Sequence, residues 1–177
     1  AALVLRQLGV STTIIDQGME SFAGLPHRLQ HVASAGPITF VNDSKATNGV
    51  AAARALQAFE NIYWVAGGLA KEDGIGAAVQ ALEHVTSAYL IGESTPVFAS
   101  ALEGRCPATE HGDLRAATTA AFADAWAGGI AATVLLAPAA ASFDQFESFA
   151  ARGDAFTGIA RQLAASVGGT GTGGAHA

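Results

Sequence analysis

The sequence contains one cysteine, Cys106, in 177 residues. No internal disulfide can form, so a reducing cytoplasm is the expected compartment and the lone thiol reads as a small buried hydrophobe. Lysine is almost as scarce, because the nine basic residues comprise Lys45, Lys71 and otherwise only arginine. With a formal charge of -6 there is no basic stripe for a phosphate backbone, and nucleic acid is not an expected partner. Long apolar runs are missing too. The longest weakly polar stretch, "GGIAATVLLAPAAA" (128 to 141), is interrupted by Gly and Pro and is shorter than the ~20 residues a membrane span needs, so no membrane partner is expected. The N-terminal "AALVLRQLGV" lacks an initiator Met, a basic leader and a small-residue cleavage site. It reads as the back half of a helix in a longer protein rather than as a signal peptide.

What is present is half hydrophobic and only 14% charged, the balance of a globular chain. From Ile38 onward the pattern alternates. "ITFV" (38 to 41), "IYWVAGG" (62 to 68), "AYLIGES" (88 to 94) and "ATVLLAP" (132 to 138) are continuous apolar runs. Helical stripes separate and follow them: Val50 to Phe59, Ile75 to Leu82, a helix over 95 to 103, Leu114 to Trp126, and Phe156 to Val167. Continuous rather than alternating apolar strands, interleaved with helices, predict an α/β fold: a doubly wound, mostly parallel sheet covered on both faces. Residues 1 to 34 do not join this rhythm. They read as one short strand near "STTIID" followed by a Gly/Pro-punctuated connector, the end of a preceding domain plus a hinge. Residues 35 to 167 form the expected domain, and the Gly-rich tail, 168 to 177, has no apolar face and is expected to be flexible.

In open parallel sheets ligands bind beyond the carboxyl ends of the strands. The segments to read are "NDSKATN" (42 to 48), "GGLAKEDG" (67 to 74), "GES" (92 to 94) and "APAAASFDQF" (137 to 146). Both lysines fall at this edge, each after a strand, and a pair of compact ammonium groups suits carboxylates or phosphates; two ordinary surface residues are the bland alternative. Asp43 or Ser44 would cap a helix starting near Ala46, while Thr47 offers a hydroxyl to a ligand and Asn48 adds polarity. Ser142 would either cap a turn or bind an anion. Neither a serine nucleophile elbow nor a P-loop G-x-x-x-x-G-K-[ST] occurs, and no strand end carries the dinucleotide fingerprint, which weakens a nicotinamide oxidoreductase reading. The five histidines give no Cys/His spacing for zinc, and no metal site is expected; His27 and Arg28 are notable only as a pair in the connector.

Taken together, "GLPHRLQ", "FVNDSKATN", "WVAGG" with Lys71 after it, "AYLIGE" and "APAAASFDQFESFAARGDAF" resemble the C-terminal part of the UDP-N-acetylmuramoyl-L-alanine:D-glutamate ligases (MurD) of the Mur ligase family. The resemblance implies a Rossmann-like domain that brings D-glutamate to an ATP-activated muramoyl-alanine carboxylate in cytoplasmic peptidoglycan precursor synthesis. It implies that Thr47, Lys71, Ser142, the backbone at Phe143, and Phe149 contact D-glutamate. Arg28, Asp43 and Lys45 would face ATP when domains close, with His27 and Asn48 in support. ATP, magnesium and UDP-N-acetylmuramoyl-L-alanine would be held mainly by domains outside this chain, which alone would be inactive. Two departures from the family pattern bear on pocket shape: Ala137 and Ala140 replace a polar and a thiol residue, and Leu69 and Ala70 precede Lys71 where some members carry an acid. The alternative is a stand-alone module that binds an acidic amino acid or another small anion.

Overall fold

Each continuous apolar run becomes a strand with both faces buried. In the computed structural model, which describes residues 2–22, 24–70 and 74–168, these are β2 (Ile38–Asn42), β3 (Ile62–Gly67), β4 (Val85–Ile91) and β6 (Ala132–Leu136). Two further strands complete the sheet: β1 (Gln30–Ala35) and the short, exposed β5 (Ala108–Glu110). The order is β1-β2-β6-β3-β4-β5, parallel throughout except where β1 runs antiparallel on β2. The last strand in the chain, β6, therefore lies between β2 and β3.

The two-residue period of the strands sends neighbouring side chains into opposite cores. Trp64, Leu90 and Leu135 face α3 (Gly49–Leu56), α4 (Gly76–Val79) and α5 (Thr95–Leu102), packing with Leu56, Ile75, Phe98 and Leu102. Val65, Tyr89 and Val134 face the other way, toward α6 (Leu114–Gly128) and α7 (Phe149–Gly168), packing with Phe122, Phe156 and Ile159. The one polar atom of the buried Trp64 ring is satisfied, its Nε1 donating to the Ala137 carbonyl at 2.8 Å. The α6 stripe is buried as its spacing requires, with one exception: Trp126 is 44% exposed, its ring covering Gly36 at the β1–β2 turn. The doubly wound α/β sheet covered on both faces is thus the fold expected from the sequence.

Three expectations are corrected. The "STTIID" segment is not a strand; Thr12–Glu20 is helix α2, whose N-cap Ser11 accepts from the Ile14 amide, and it follows α1 (Ala2–Gln7). Local capping outweighs the β-branched Thr and Ile there. The connector was expected to stay outside the sheet up to residue 34, yet β1 is its antiparallel edge strand, with a register break between His31 and Ala33. Finally, neither Asp43 nor Ser44 caps α3. That helix starts at Gly49, and Asn48 Oδ1 accepts from the Ala51 amide at 2.9 Å. Of the predicted tail, residues 169–177 lie outside the described residues.

Candidate functional site

The carboxyl edge of the sheet is built by backbone that approaches unusually closely. Gly67 ends β3 and Gly68 follows it, with φ of 126° and 133°, and Gly92 follows β4 with φ of 72°. A Cβ at Gly67 would strike the Ile91 carbonyl, one at Gly68 the Ala141 carbonyl, and one at Gly92 the Asp144 carboxylate. Glycine is required at all three, and the loops after β3, β4 and β6 are drawn into one surface. Leu69 and Ala141 exchange backbone hydrogen bonds of 2.9 and 3.0 Å across it. Asp144 Oδ2 accepts from the Glu93 amide at 3.1 Å, tying the β6 loop to the β4 loop.

The β2 loop is anchored from below. Asn42, fully buried, donates through Nδ2 to the Gly153 carbonyl, to Thr157 Oγ1 and to His27 Nδ1, and accepts from the Ser44 amide through Oδ1. Ser44 is not a cap but a bridge: its hydroxyl donates to the Phe149 carbonyl at 2.7 Å, joining β2 to the start of α7. Lys45 carries its ammonium 4.0 Å from the centroid of the Phe149 ring, a cation–π contact. Its amide donates to the His27 carbonyl, and the Thr47 amide donates back to the Lys45 carbonyl. Thr47 is half-buried at the turn that leads into α3, and Asn48 is exposed and occupied with capping.

Asp43 is buried and accepts from the Leu29 amide through Oδ1 at 3.2 Å. Burial pushes its carboxyl above the usual range, opposed by that hydrogen bond and by the charge of Arg28. Arg28 itself is exposed, between two residues with left-handed backbone, His27 at φ 61° and Leu29 at φ 44°. The His27 ring is buried, with Nε2 3.7 Å from Asp154 and its edge toward Phe149. His27 and His31 are four residues apart, a metal-like spacing passed over in reading the sequence. They lie on a turn and a strand, however, and His31 Nε2 pairs with Ser34.

Ser142 is 2% exposed and its hydroxyl has no protein partner. Its carbonyl closes a turn by accepting from the Gln145 and Phe146 amides, so the side chain is not needed as a cap. Two more buried hydroxyls without a protein partner, Ser94 and Thr95, follow β4 at the same edge of the sheet. The Phe143 ring is exposed and takes no part in these contacts, leaving its backbone as the relevant group. Lys71 lies outside the described residues.

The structure thus joins Ser44, Lys45 and Phe149 directly, and Asp43 with the Arg28–Leu29 turn. What sequence reading missed is Arg152, which connects these elements to Ala140 and Ala141, the two residues before Ser142. Its guanidinium, 1% exposed, donates to Ser44 Oγ and to the carbonyls of Ser44, Gly67, Ala140 and Ala141. The signal was available: Arg152 falls on the apolar stripe of α7 with Phe156, Ile159 and Leu163.

A crevice of about 550 Å³ opens beside this region, lined by Glu93, Glu110, His111 and Asp144 among others. Three carboxylates make it the wrong place for an acidic ligand, so the Ser44–Phe149–Ser142 region is the stronger candidate. Among the described residues no group of three or more His, Cys, Asp or Glu side chains could hold a metal ion. None of the described helices is long and apolar enough to cross a membrane.

Residues 27–140 match the model of the Mur ligase, glutamate ligase domain. The UDP-N-acetylmuramoylalanine–D-glutamate ligase of Phenylobacterium zucineum is 47% identical over 159 residues, which is 90% of this chain and 34% of the relative. That of Rhizobium meliloti is 49% identical over 152 residues, 85% of this chain and 33% of the relative. That of Rhodospirillum rubrum is 46% identical over 160 residues, 90% and 34%. The chain spans about a third of the length of the curated relatives it matches. With its parallel sheet, its glycine-lined carboxyl edge and the matched residues 27–140, the chain belongs to the Mur ligase family through the glutamate ligase domain.

Proposed function

We propose that this chain is the D-glutamate-binding lobe of an ATP-dependent ligase that adds D-glutamate to UDP-N-acetylmuramoyl-L-alanine. In such a ligase ATP converts the muramoyl-alanine carboxylate to an acyl phosphate; the D-glutamate amine attacks the acyl carbon, phosphate leaves, and an amide forms. The lobe's task is to hold a dicarboxylate so that its amine, deprotonated, points at that carbon. Positioning of this kind removes much of the entropic barrier.

The observation that carries the reading is the Ser142 hydroxyl, buried and without a protein partner at the sheet's carboxyl edge. A carboxylate accepting from it would satisfy this orphaned hydroxyl, with Thr47, the Phe143 amide and Lys71 as further donors and Phe149 as an apolar wall. Arg28, Asp43 and Lys45, on the adjoining β2 side, would face ATP on domain closure, with His27 and Asn48 holding the loop between them. The cation–π contact keeps the Lys45 ammonium partly desolvated and close to the glutamate side.

No group of three or more metal-ligating side chains occurs among the described residues. In this reading magnesium and the nucleotide grip belong mainly to the part of the longer protein outside this chain, and no step here passes through the metal. Residues 1 to about 34 are proposed as the end of the ATPase domain and the hinge, the hinge's last residues entering the sheet as β1. A cytoplasmic place in peptidoglycan precursor synthesis follows from the same reading.

The test is ADP release by the full-length protein that carries this chain, supplied with UDP-N-acetylmuramoyl-L-alanine and either D- or L-glutamate. ADP is expected only with all substrates present and with the D form preferred. No ATP consumption with D-glutamate would overturn the ligase reading. Binding of D-glutamate without turnover would favour an amino-acid-binding module instead.

A further inference from the structure

Arg152 is the most deeply buried charge in the described residues, and it has no carboxylate within ion-pair distance among them. All five of its hydrogen bonds go to neutral oxygens: Ser44 Oγ at 3.0 Å, the Ser44 and Ala140 carbonyls at 3.1 Å, Ala141 at 3.3 Å and Gly67 at 3.4 Å. A guanidinium suits this arrangement because its planar fork reaches several oxygens at fixed angles. Burial pulls its pKa down to about 10, so it remains charged at neutral pH, and Asp144 opposes the shift only in part. An uncompensated buried cation is costly, and a well-packed apolar residue would often serve stability equally well. The charge therefore needs an explanation other than packing.

Its contacts supply one. Ala140 and Ala141 are the two residues before Ser142, and Gly67 ends β3 just before the glycine that touches Ala141. Ser44 Oγ, held by Arg152 Nε, in turn holds the Phe149 carbonyl. One side chain on α7 thus reaches the loops after β2, β3 and β6 together; Ala140 and Ala141 lie within two residues of Ser142, and Ser44 bonds directly to the Phe149 carbonyl.

We propose that Arg152 is the positioning residue of the glutamate site: it locks these three loops so that the Ser142 hydroxyl, the Phe143 amide and Phe149 face one dicarboxylate, and its unpaired charge favours that anion. The inference rests on the ligase reading above and adds to it the residue that organises the pocket. Arg152 touches no substrate itself. It acts through Ser44, Ala140 and Ala141.

The test uses initial rates of the full-length ligase, varying D-glutamate and ATP separately, for wild type, Arg152→Lys, Arg152→Met and Ser44→Ala, with a thermal melt of each. Lysine keeps the charge but cannot reach oxygens on three loops. Arg152→Lys is expected to raise the KM for D-glutamate by about tenfold or more while moving the KM for ATP less than about twofold, and Arg152→Met to raise the former further. Ser44→Ala is expected to act in the same direction, and non-additively with Arg152→Lys. A merely structural role would lower the active fraction, reducing kcat equally toward both substrates and leaving both KM values in place. That result, or a D-glutamate KM unchanged in Arg152→Lys, overturns the proposal. If both arginine variants fail to fold, Ser44→Ala decides alone, since it leaves Arg152 present; an unchanged D-glutamate KM then refutes the relay. Wild type that never saturates with D-glutamate sinks the ligase reading itself, whereas normal wild type with an unaltered Arg152→Lys sinks only the positioning role.

Discussion

Replacing Gly68 by alanine should damage this protein far more than a single methyl group suggests. At φ 133° an L-residue is strained, and forcing it there costs about 1 to 3 kcal/mol. The added Cβ would also meet the Ala141 carbonyl and come within 3.1 Å of Arg152 Nη1. Ala141 cannot retreat without breaking its two bonds to Leu69, worth about 1 kcal/mol each. The combined loss is about 3 to 5 kcal/mol, a large share of the roughly 5 to 15 kcal/mol that stabilises a typical domain. Urea unfolding followed by fluorescence of Trp64 and Trp126 measures it directly, as a fall in midpoint at unchanged m-value. The control is Gly158→Ala: this glycine lies in α7 with nothing within 4 Å of the new Cβ, and the change should be neutral or stabilising by up to about 1 kcal/mol. A Gly68→Ala loss below about 1 kcal/mol would refute the claim that the β3 and β6 loops are in obligate contact.

Three further outcomes are expected. Because burial raises the folded-state pKa of Asp43 above that of a free aspartate, 3.8, the folded form holds its proton longer and stability falls as pH rises from there to the folded value; Asp43→Asn should flatten that segment of a stability–pH profile and match wild type below it. Lys71→Ala in the full-length ligase should raise the D-glutamate requirement far more than the ATP requirement, and Lys45→Ala should show the opposite bias; equal effects for Lys71 would assign it to the phosphates or the fold. Cys106, 8% exposed and with its thiol pushed up by burial, should react with a soluble disulfide reagent at neutral pH far more slowly than a free thiol, and at the free rate once unfolded in urea.

Strands with both faces buried could be read directly, because every residue of β6 is apolar or a threonine and the run is short, β-branched and bounded by Gly and Pro. The antiparallel β1 could not. Its burial runs i-e-B-i-e-B, and the register break at His31/Ala33 destroys the two-residue period by which a half-exposed strand is recognised. In α2 the β-branched "TTII" pointed to a strand, and only the Ser11 cap distinguishes it. The cap of α3 was misplaced because "NDSKATN" offers several capping residues and the choice depends on which of them the tertiary structure uses otherwise. Asp43 and Ser44 are taken by Leu29 and Phe149, leaving Asn48. Site residues were legible as types at strand ends, whereas the partners of Arg152, up to 108 positions away in the chain, were not.

The placement of β6 has a consequence for how the chain is made. β2 and β3 are neighbours in sequence but never in the sheet, since Ile38 and Ile62 pair with Ala132 and Thr133 rather than with each other. During synthesis both strands emerge, with their apolar faces, well before the segment that joins them. Until residues 132–136 are available, the growing chain consists of two half-sheets with open edges, the condition in which pairing with another chain competes with folding. Productive folding therefore waits on its last strand, and the glutamate-facing edge, which needs the residues just after β6, is the final part to take shape.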